Sequence, residues 1–390
     1  MRSYDVIVLG LGAMGAAAAY QLARRGAKVL GLDQFSPPHR HGSSHGETRV
    51  TRLAIGEGAH YTPLVMRSHE IWRAIEQETG AKLLTVNGCL IVSSNAPRAV
   101  THVEDFFQNT VAAAKSHGIA HEILNTAEIR KRFPQFNVCD NEIGYFERDA
   151  GFLRPEECIR AQLALAAKNG AALHTNEAVL EFEPALDHVT VKTGRAAYTA
   201  EKLIVAAGAW LPRLLGPRYA ALFKVLRQVQ FWFAPEGDVA PFLPERMPVF
   251  IWELQGRPQG IYGFPALDAA SGVKIATEQY ESATTPQTAD RNVSGKEIAS
   301  MYESYVAPYL RDVSARCVGT APCLYTSTPD AGFVIDRHPD SDRVLIASAC
   351  SGHGFKHSPA IGEALCELAF AGKSHFDLGA FGLSRFAALR

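Results

Sequence analysis

The chain has 390 residues, enough for two domains, and its 47% hydrophobic and 20% charged side chains exclude disordered and fibrous classes. With 39 Lys and Arg against 40 Asp and Glu the formal charge is -1, which excludes the electrostatic footprint of nucleic-acid or anionic-lipid binding. No apolar run reaches bilayer length and no signal segment precedes the first strand pattern; the seven cysteines lack a CxxC pair, which opposes a disulfide framework or zinc site, so a reducing cytoplasm is the expected location.

The chain opens with YDVIVLGLGAMGAAAAYQLARRGAKVLGLD. Val6 to Leu9 form an apolar run typical of a strand buried on both faces. Gly10, Gly12 and Gly15 then make G-x-G-x-x-G, Ala16 to Arg25 are strong helix formers, Gly26 stops the helix, and Lys28 to Leu32 form a second strand ending at Asp33. The first glycine makes the turn, the second admits a pyrophosphate, the third allows helix–sheet contact, and the acid takes the ribose hydroxyls. A dinucleotide site is therefore expected, with NAD and FAD both open. Next, HGSSHGETRVTR (41–52) is expected to be a loop entering a turn or short helix, where Arg49 and Arg52, three apart, share a face. Two such arginines read equally as a solvated face. His39, His41 and His45 have no carboxylate or cysteine at ligand spacing, so no metal is expected. YTPLVMRSHEIWRAIEQETG (61–80) reads as a structural helix capped by Thr62, begun by Pro63 and stopped by Gly80, with Leu64, Ile71, Trp72 and Ile75 on one stripe.

Residues 83–144 and 221–317 carry alternating patterns such as QVQFWFA and GVKIATEQY, which predict half-exposed antiparallel strands. Between them KLIVAAGAW, Lys202 to Trp210, reads as a buried parallel strand. RVLIASACSGHGFKHSPAIGEALCELAFAGK (343–373) is again strand, glycine turn and helix, with Ser358 as N-cap, Pro359 at the first helical position and Gly372 as stop. Its SGHGFK is not a triphosphate loop: one residue separates Gly352 from Gly354, and Phe355 precedes Lys356. Residues 1–82, 145–220 and 318–390 are thus expected to form a nucleotide domain, and 83–144 and 221–317 a second domain that roofs it and leaves a pocket between.

Several stretches, GLGAMG, HGSSHGETRVTRLAIGEG, GIYGFP, CLYTSTPDAGFVID, SGHGFK and FDLGAFGLSRF, run in one order along essentially the whole length. In them the chain resembles the monomeric sarcosine oxidase and N-methyltryptophan oxidase family of flavoenzymes. The resemblance implies an α/β fold: a glutathione-reductase-like, FAD-binding Rossmann domain joined to an α+β domain with an antiparallel substrate sheet. It implies FAD bound through a thioether from Cys323, which otherwise reads as a small buried hydrophobe. The implied reaction removes hydride from the carbon next to nitrogen in a secondary or tertiary amino acid, and O2 reoxidises the flavin, giving H2O2 and an imine that hydrolyses. Arg52 and Lys356 match the carboxylate clamp, Lys274 the lysine that assists oxygen, Arg49 and His45 positions beside the flavin, and Tyr262 and Tyr325 the pocket wall. The cofactor contacts are Gly10, Gly12, Gly15, Asp33, Ser43, Thr48, Val179, Gly208, Cys323, Gly352, Gly354, Phe355 and Lys356. Arg49, Arg52, Lys274 and Lys356 together favour the neutral, reactive amine. The partners implied are an amino acid and O2, with no nucleic acid or membrane, and the protein is expected to be a monomer.

Glu278 departs from the pattern: sarcosine and N-methyltryptophan oxidases carry a histidine four residues after the lysine. The more distant fructosyl amino acid oxidases have glutamate there, though their arginine loop differs. Either Glu278 favours a larger or more polar N-substituted or cyclic amino acid over sarcosine, or it turns away to pair with a nearby cation. Three rivals exist. An NAD-dependent dehydrogenase leaves SGHGFK and Cys323 without roles. A flavin dehydrogenase of a cyclic or fructosyl amino acid, using another acceptor, is opposed by Lys274. A non-catalytic flavoprotein is opposed by Arg52 and Lys356.

Overall fold

The computed structural model describes residues 2–94, 103–257 and 259–389; residues 95–102 of the expected 83–144 segment lie outside that range. Among the described residues the strands fall into three sheets. The first is built on a parallel core in which Arg2–Leu9 pairs with Val29–Leu32 on one side and Ala197–Val205 on the other, and Ser341–Ser348 extends it. Val6, Ile7 and Val8 are buried because both faces are covered, Val6 and Val8 packing in a cluster with Leu22 and Leu365 and Ile7 in one with Val191 and Leu211, which is why the run is continuously apolar. The Ala13–Arg24 helix packs against Pro155–Lys168 and Ser358–Ala371. Its alanines permit close approach: a Cβ on Gly362 would lie 2.5 Å from the Ala17 backbone. The antiparallel strands Val179–Pro184, Val189–Thr193 and Val334–His338 flank this core.

The second sheet has the order Val313–Ser327, Lys224–Pro235, Val273–Thr277, Ile261–Phe264, Val249–Trp252, Cys89–Ser94, Glu142–Glu147 and Glu122–Leu124. Its pairings are antiparallel except Val249–Trp252 with Cys89–Ser94, which is parallel. The expected purely antiparallel sheet is therefore mixed, since these two strands belong to different segments and are not joined by a hairpin. The GVKIATEQY strand is not half-exposed either: Val273, Lys274, Ile275 and Ala276 are all buried, one face in the sheet's own core and the other over the nucleotide-binding half. Glu142–Glu147 and Val313–Ser327 straddle residues 144 and 317, and both run in this sheet.

Local starts and stops differ from expectation in three places. Residues 49–51 form a strand, paired antiparallel with Gly151–Leu153, so Arg49 does not sit on a helical turn. Tyr61 is already helical, so Thr62 lies inside the Thr62–Thr79 helix and does not cap it. Likewise a single tight turn, Phe355–His357, leads into Ser358–Ala371 and displaces Ser358 from the cap. In these two helices the chain enters through a preceding turn whose carbonyls take the first N–H groups. The glycine stops hold: Gly26, Gly80 and Gly372 have φ of +84°, +71° and +70°. No described helix is long and apolar enough to cross a membrane.

Candidate active site

An elongated cavity follows the first glycine turn. A Cβ on Gly10 would meet the Ala206 carbonyl oxygen at 2.5 Å, and one on Gly15 would meet the Gly10 carbonyl oxygen at 1.7 Å, so both positions exclude a side chain. At Gly12 the nearest atom, Ser44 Oγ, is 3.9 Å away, and the cleft stays open in front of the Ala13–Arg24 helix. That helix has no side-chain cap, which leaves its first N–H groups and positive end for an anion. Asp33 accepts hydrogen bonds from Leu11 N–H and Phe35 N–H at 2.8 Å each, and burial pushes its carboxyl above the usual range. Gly10, Gly12, Asp33, Ser43, Val179, Gly208, Gly352, Gly354 and Phe355 line this cavity, whereas Gly15 packs behind the turn. Thr48 and Cys323 are off its wall, and Lys356 lines a neighbouring cavity. His39 and His41 pack on Phe35 with ring centroids 4.9 and 4.2 Å away.

The second cavity lies under the second sheet, and Arg49, Tyr325, Gly352 and Phe355 line both. Although Arg49 and Arg52 do not share a helical face, both reach this space. Arg49 is anchored by donating to Thr48 O at 2.7 Å and Ser43 O at 2.6 Å. Arg52 is 1% exposed; its Nη2 lies 2.6 Å from Glu57 Oε2, it also donates to Ala54 O, and its guanidinium stands 4.9 Å above the Phe106 ring. Lys356 Nζ donates to His353 O at 2.7 Å and lies 3.9 Å from Glu57 Oε1. Burial pulls the Lys356 ammonium down to about 8, with Glu57 opposing. Arg52 and Lys356 thus flank one carboxylate from two sides, as a clamp would.

On the opposite wall, Glu278 faces the cavity: its Oε1 accepts from Tyr325 OH at 3.1 Å and its Oε2 from Tyr280 OH at 3.2 Å. Tyr262 is hydrogen-bonded to Tyr325, and burial raises both hydroxyls above their ordinary value. Lys274 is 1% exposed; it donates to Gly46 O at 2.7 Å, Thr48 O at 2.9 Å and Thr48 Oγ1 at 3.1 Å, and stands 4.6 Å over the Phe264 ring. Burial, then Arg49, pull its ammonium well below the usual range. Burial, with Arg49 and Lys274, also holds His45 neutral down to about pH 3. Cys323 shares the Tyr325 face of its strand by alternation and accepts from Gln230 Nε2 at 3.5 Å; burial raises its thiol.

The model of the FAD dependent oxidoreductase family matches residues 5–368. The chain belongs to this family. It is 40% identical over 388 residues to the monomeric sarcosine oxidase of Streptomyces avermitilis, covering 99% of this chain and 98% of that one. It is 36% identical over 386 residues to the N-methyl-L-tryptophan oxidase of Escherichia coli (strain K12 / DH10B), covering 98% and 99%. Among solved structures, NikD, an unusual amino acid oxidase, aligns with TM-score 0.84 at 24% identity over 98% of both chains. Glycine oxidase from Geobacillus kaustophilus aligns with TM-score 0.77 at 19% identity over 99% of both. These two likenesses show the fold.

As an FAD-dependent oxidoreductase the chain presents a cradle that fits the cofactor. Two glycines exclude side chains where the backbone bends and an uncapped helix end faces the cleft; His45, whose buried Nε2 has no hydrogen-bond partner among the described residues, lies behind the walls of both cavities. Residues that the sequence did not flag also line the site: Glu57, Gln230, Glu253, Tyr280 and His353 in the second cavity, and Trp210 and Cys350 in the first. Glu57 and His353 sit inside motifs whose other residues carry the signal; Glu253 and Tyr280 carry no local signal.

Proposed function

We propose that the enzyme is an oxidase of N-substituted or cyclic α-amino acids, acting at the C–H bond next to nitrogen with O2 as acceptor. The observation that carries this reading is the buried Arg52 and Lys356 pair, set around one carboxylate in a cavity whose wall is shared with the FAD cleft. Bound FAD would supply the two-electron acceptor and return the electrons to O2 as H2O2. Arg52 and Lys356 take the substrate carboxylate in place of Glu57 and fix the amine end toward the shared wall. Arg49, Arg52 and Lys356 disfavour an ammonium there, which leaves the nitrogen lone pair free for hydride departure. Three acceptors around Lys274 Nζ match the three donors of an ammonium, a fixed cation for charge developing on oxygen.

Cys323, facing the Tyr325 side of its strand beside Gln230, is the residue that would hold FAD covalently. Glu278, held by two tyrosines over Gly352, favours a substrate with a larger or more polar substituent than a methyl group. The free cysteines fit a cytoplasmic enzyme, and the name of the sarcosine oxidase relatives supports a monomer. The test is peroxide release together with anaerobic bleaching of the flavin on adding N-alkyl and cyclic amino acids. Bleaching without peroxide in air would reject the oxidase assignment, and no bleaching with any of them would reject the substrate class.

A further inference from the structure

The turn that holds Lys274 is itself held from outside the cavity. Gly46 and Glu47 both have positive φ, +96° and +67°, and Thr48 N–H closes back on Gly46 O at 2.7 Å. Glu47 bears a steric cost for that left-handed conformation, since it has a Cβ. The oxygens of the turn point at Lys274 Nζ, while Gly46 N–H and Glu47 N–H donate to Glu156 Oε1 at 2.7 and 3.3 Å. Glu156 lies in the first turn of Pro155–Lys168, a helix of the nucleotide-binding half. Two further contacts brace the turn. Glu47 Oε2 accepts from Trp232 Nε1 at 2.9 Å, and Trp232 stacks beneath Lys274 Nζ at 5.3 Å. A Cβ on Gly46 would lie 2.1 Å from Gln230 Oε1, and Gln230 contacts Cys323.

We infer that Glu156 is a positioning residue for Lys274: its carboxylate pins the Gly46–Thr48 turn, whose oxygens hold the Lys274 Nζ in place for the step in which the reduced cofactor meets O2. This rests on the oxidase reading. The charged and titratable groups around Lys274 are Arg49 from the Arg49–Thr51 strand, His45 and Glu47 from the loop before it, Glu156 from the helix and Cys323 from the next strand but one in the same sheet. Burial and Arg49 drive the lysine toward neutrality; Cys323, Glu156 and Glu47 act in the other sense. Because its folded value is already depressed, the ammonium exists below that value and is lost above it. Removing the Glu156 charge therefore moves the loss to lower pH.

The test uses purified holoenzyme with its flavin reduced by dithionite, so no substrate is required, and follows reoxidation by O2 across neutral to alkaline pH. Hydrogen–deuterium exchange of a peptide spanning 43–52 reads the turn independently of turnover. Glu156→Ala is expected to speed exchange of that peptide and to slow reoxidation roughly tenfold. Glu156→Gln keeps an acceptor, so exchange stays near wild type, but the pH at which reoxidation falls off drops by about one unit. Wild-type reoxidation, wild-type pH dependence and wild-type exchange in the two variants, alongside slow reoxidation in Lys274→Met, would overturn the inference and leave the oxidase reading standing. Fast reoxidation in Lys274→Met would overturn the role of Lys274, and this inference with it. If Glu156→Ala does not fold, the pH dependence of Glu156→Gln decides alone.

Discussion

Burial brings the Lys356 ammonium down to about 8 in a cavity where its work requires the charge. The folded value is depressed, so the cation is fully present below about 8 and is lost as pH rises through it. Binding of a carboxylate that lacks an amine, such as methoxyacetate, is therefore expected to be constant at lower pH and to weaken above about 8, read from perturbation of the flavin spectrum. Lys356→Met should bind weakly at every pH; an unchanged pH dependence in that variant would move the titration to another group. Cys323 is expected to carry the flavin, and mass spectrometry of a tryptic digest checks it: an unmodified Cys323 peptide from fully yellow protein would show noncovalent attachment. Glu278, fixed by Tyr280 and Tyr325, is expected to set the substrate order. On a panel of sarcosine, N-methyltryptophan, proline, pipecolate and fructosyl-glycine, Glu278→His should shift kcat/KM toward sarcosine by about tenfold. If sarcosine is already the best substrate, or the order is unmoved, Glu278 has no part in specificity.

The turn between Ser341–Ser348 and the Ser358–Ala371 helix positions Gly352, Phe355 and Lys356 at once, and its shape depends on a missing side chain. A Cβ on Gly354 would lie 1.5 Å from the Ala349 carbonyl oxygen, so Gly354→Ala must shift the backbone. The expected result is a loss of flavin content, read as the ratio of visible to ultraviolet absorbance, with a stability loss of about 3 kcal/mol by denaturant melt. Gly26→Ala is the control. Its φ of +84° strains the helix end by about 1 kcal/mol, but nothing lies within 4 Å and flavin content should hold. Equal flavin loss in both would attribute the effect to stability rather than to the shape of the turn.

At the scale of the whole molecule, the two cavities meet because the second sheet is laid over the nucleotide-binding half. Val313–Ser327 carries this arrangement: its end brings Tyr325 to the shared wall, with Cys323 two residues earlier on the same face, and it pairs along its length with Lys224–Pro235, which in turn aligns Trp232 with Lys274. Both cavities are lined by residues of this chain, and light scattering is expected to give a single species of 42.4 kDa. A stable species of twice that mass would mean that two copies bury surface which the single chain exposes, and would reject the monomer.

Sequence alone was enough for the strand–glycine–helix unit at residues 4–33, the helix stops at Gly26, Gly80 and Gly372, and the existence, though not the burial, of the strands around Trp232 and Lys274. Each of these rests on interactions within a few residues: a backbone torsion, a turn, a period of side chains. Arg52, Lys356, Lys274 and Glu278 were legible as candidates, and as one site, through the motifs that carry the family resemblance, but the side chains that hold them were not. Tertiary structure decided that Arg49 begins a strand, because its partner, Leu153, lies far away in the chain and three-residue spacing cannot report it. It also decided that Glu57 stands between Arg52 and Lys356, that two tyrosines hold Glu278, and that Glu156 braces the turn around Lys274. The contacts of Glu57 with Lys356, Tyr325 with Glu278 and Glu156 with the turn join segments separated by tens to hundreds of residues, and their geometry exists only once the two sheets have packed.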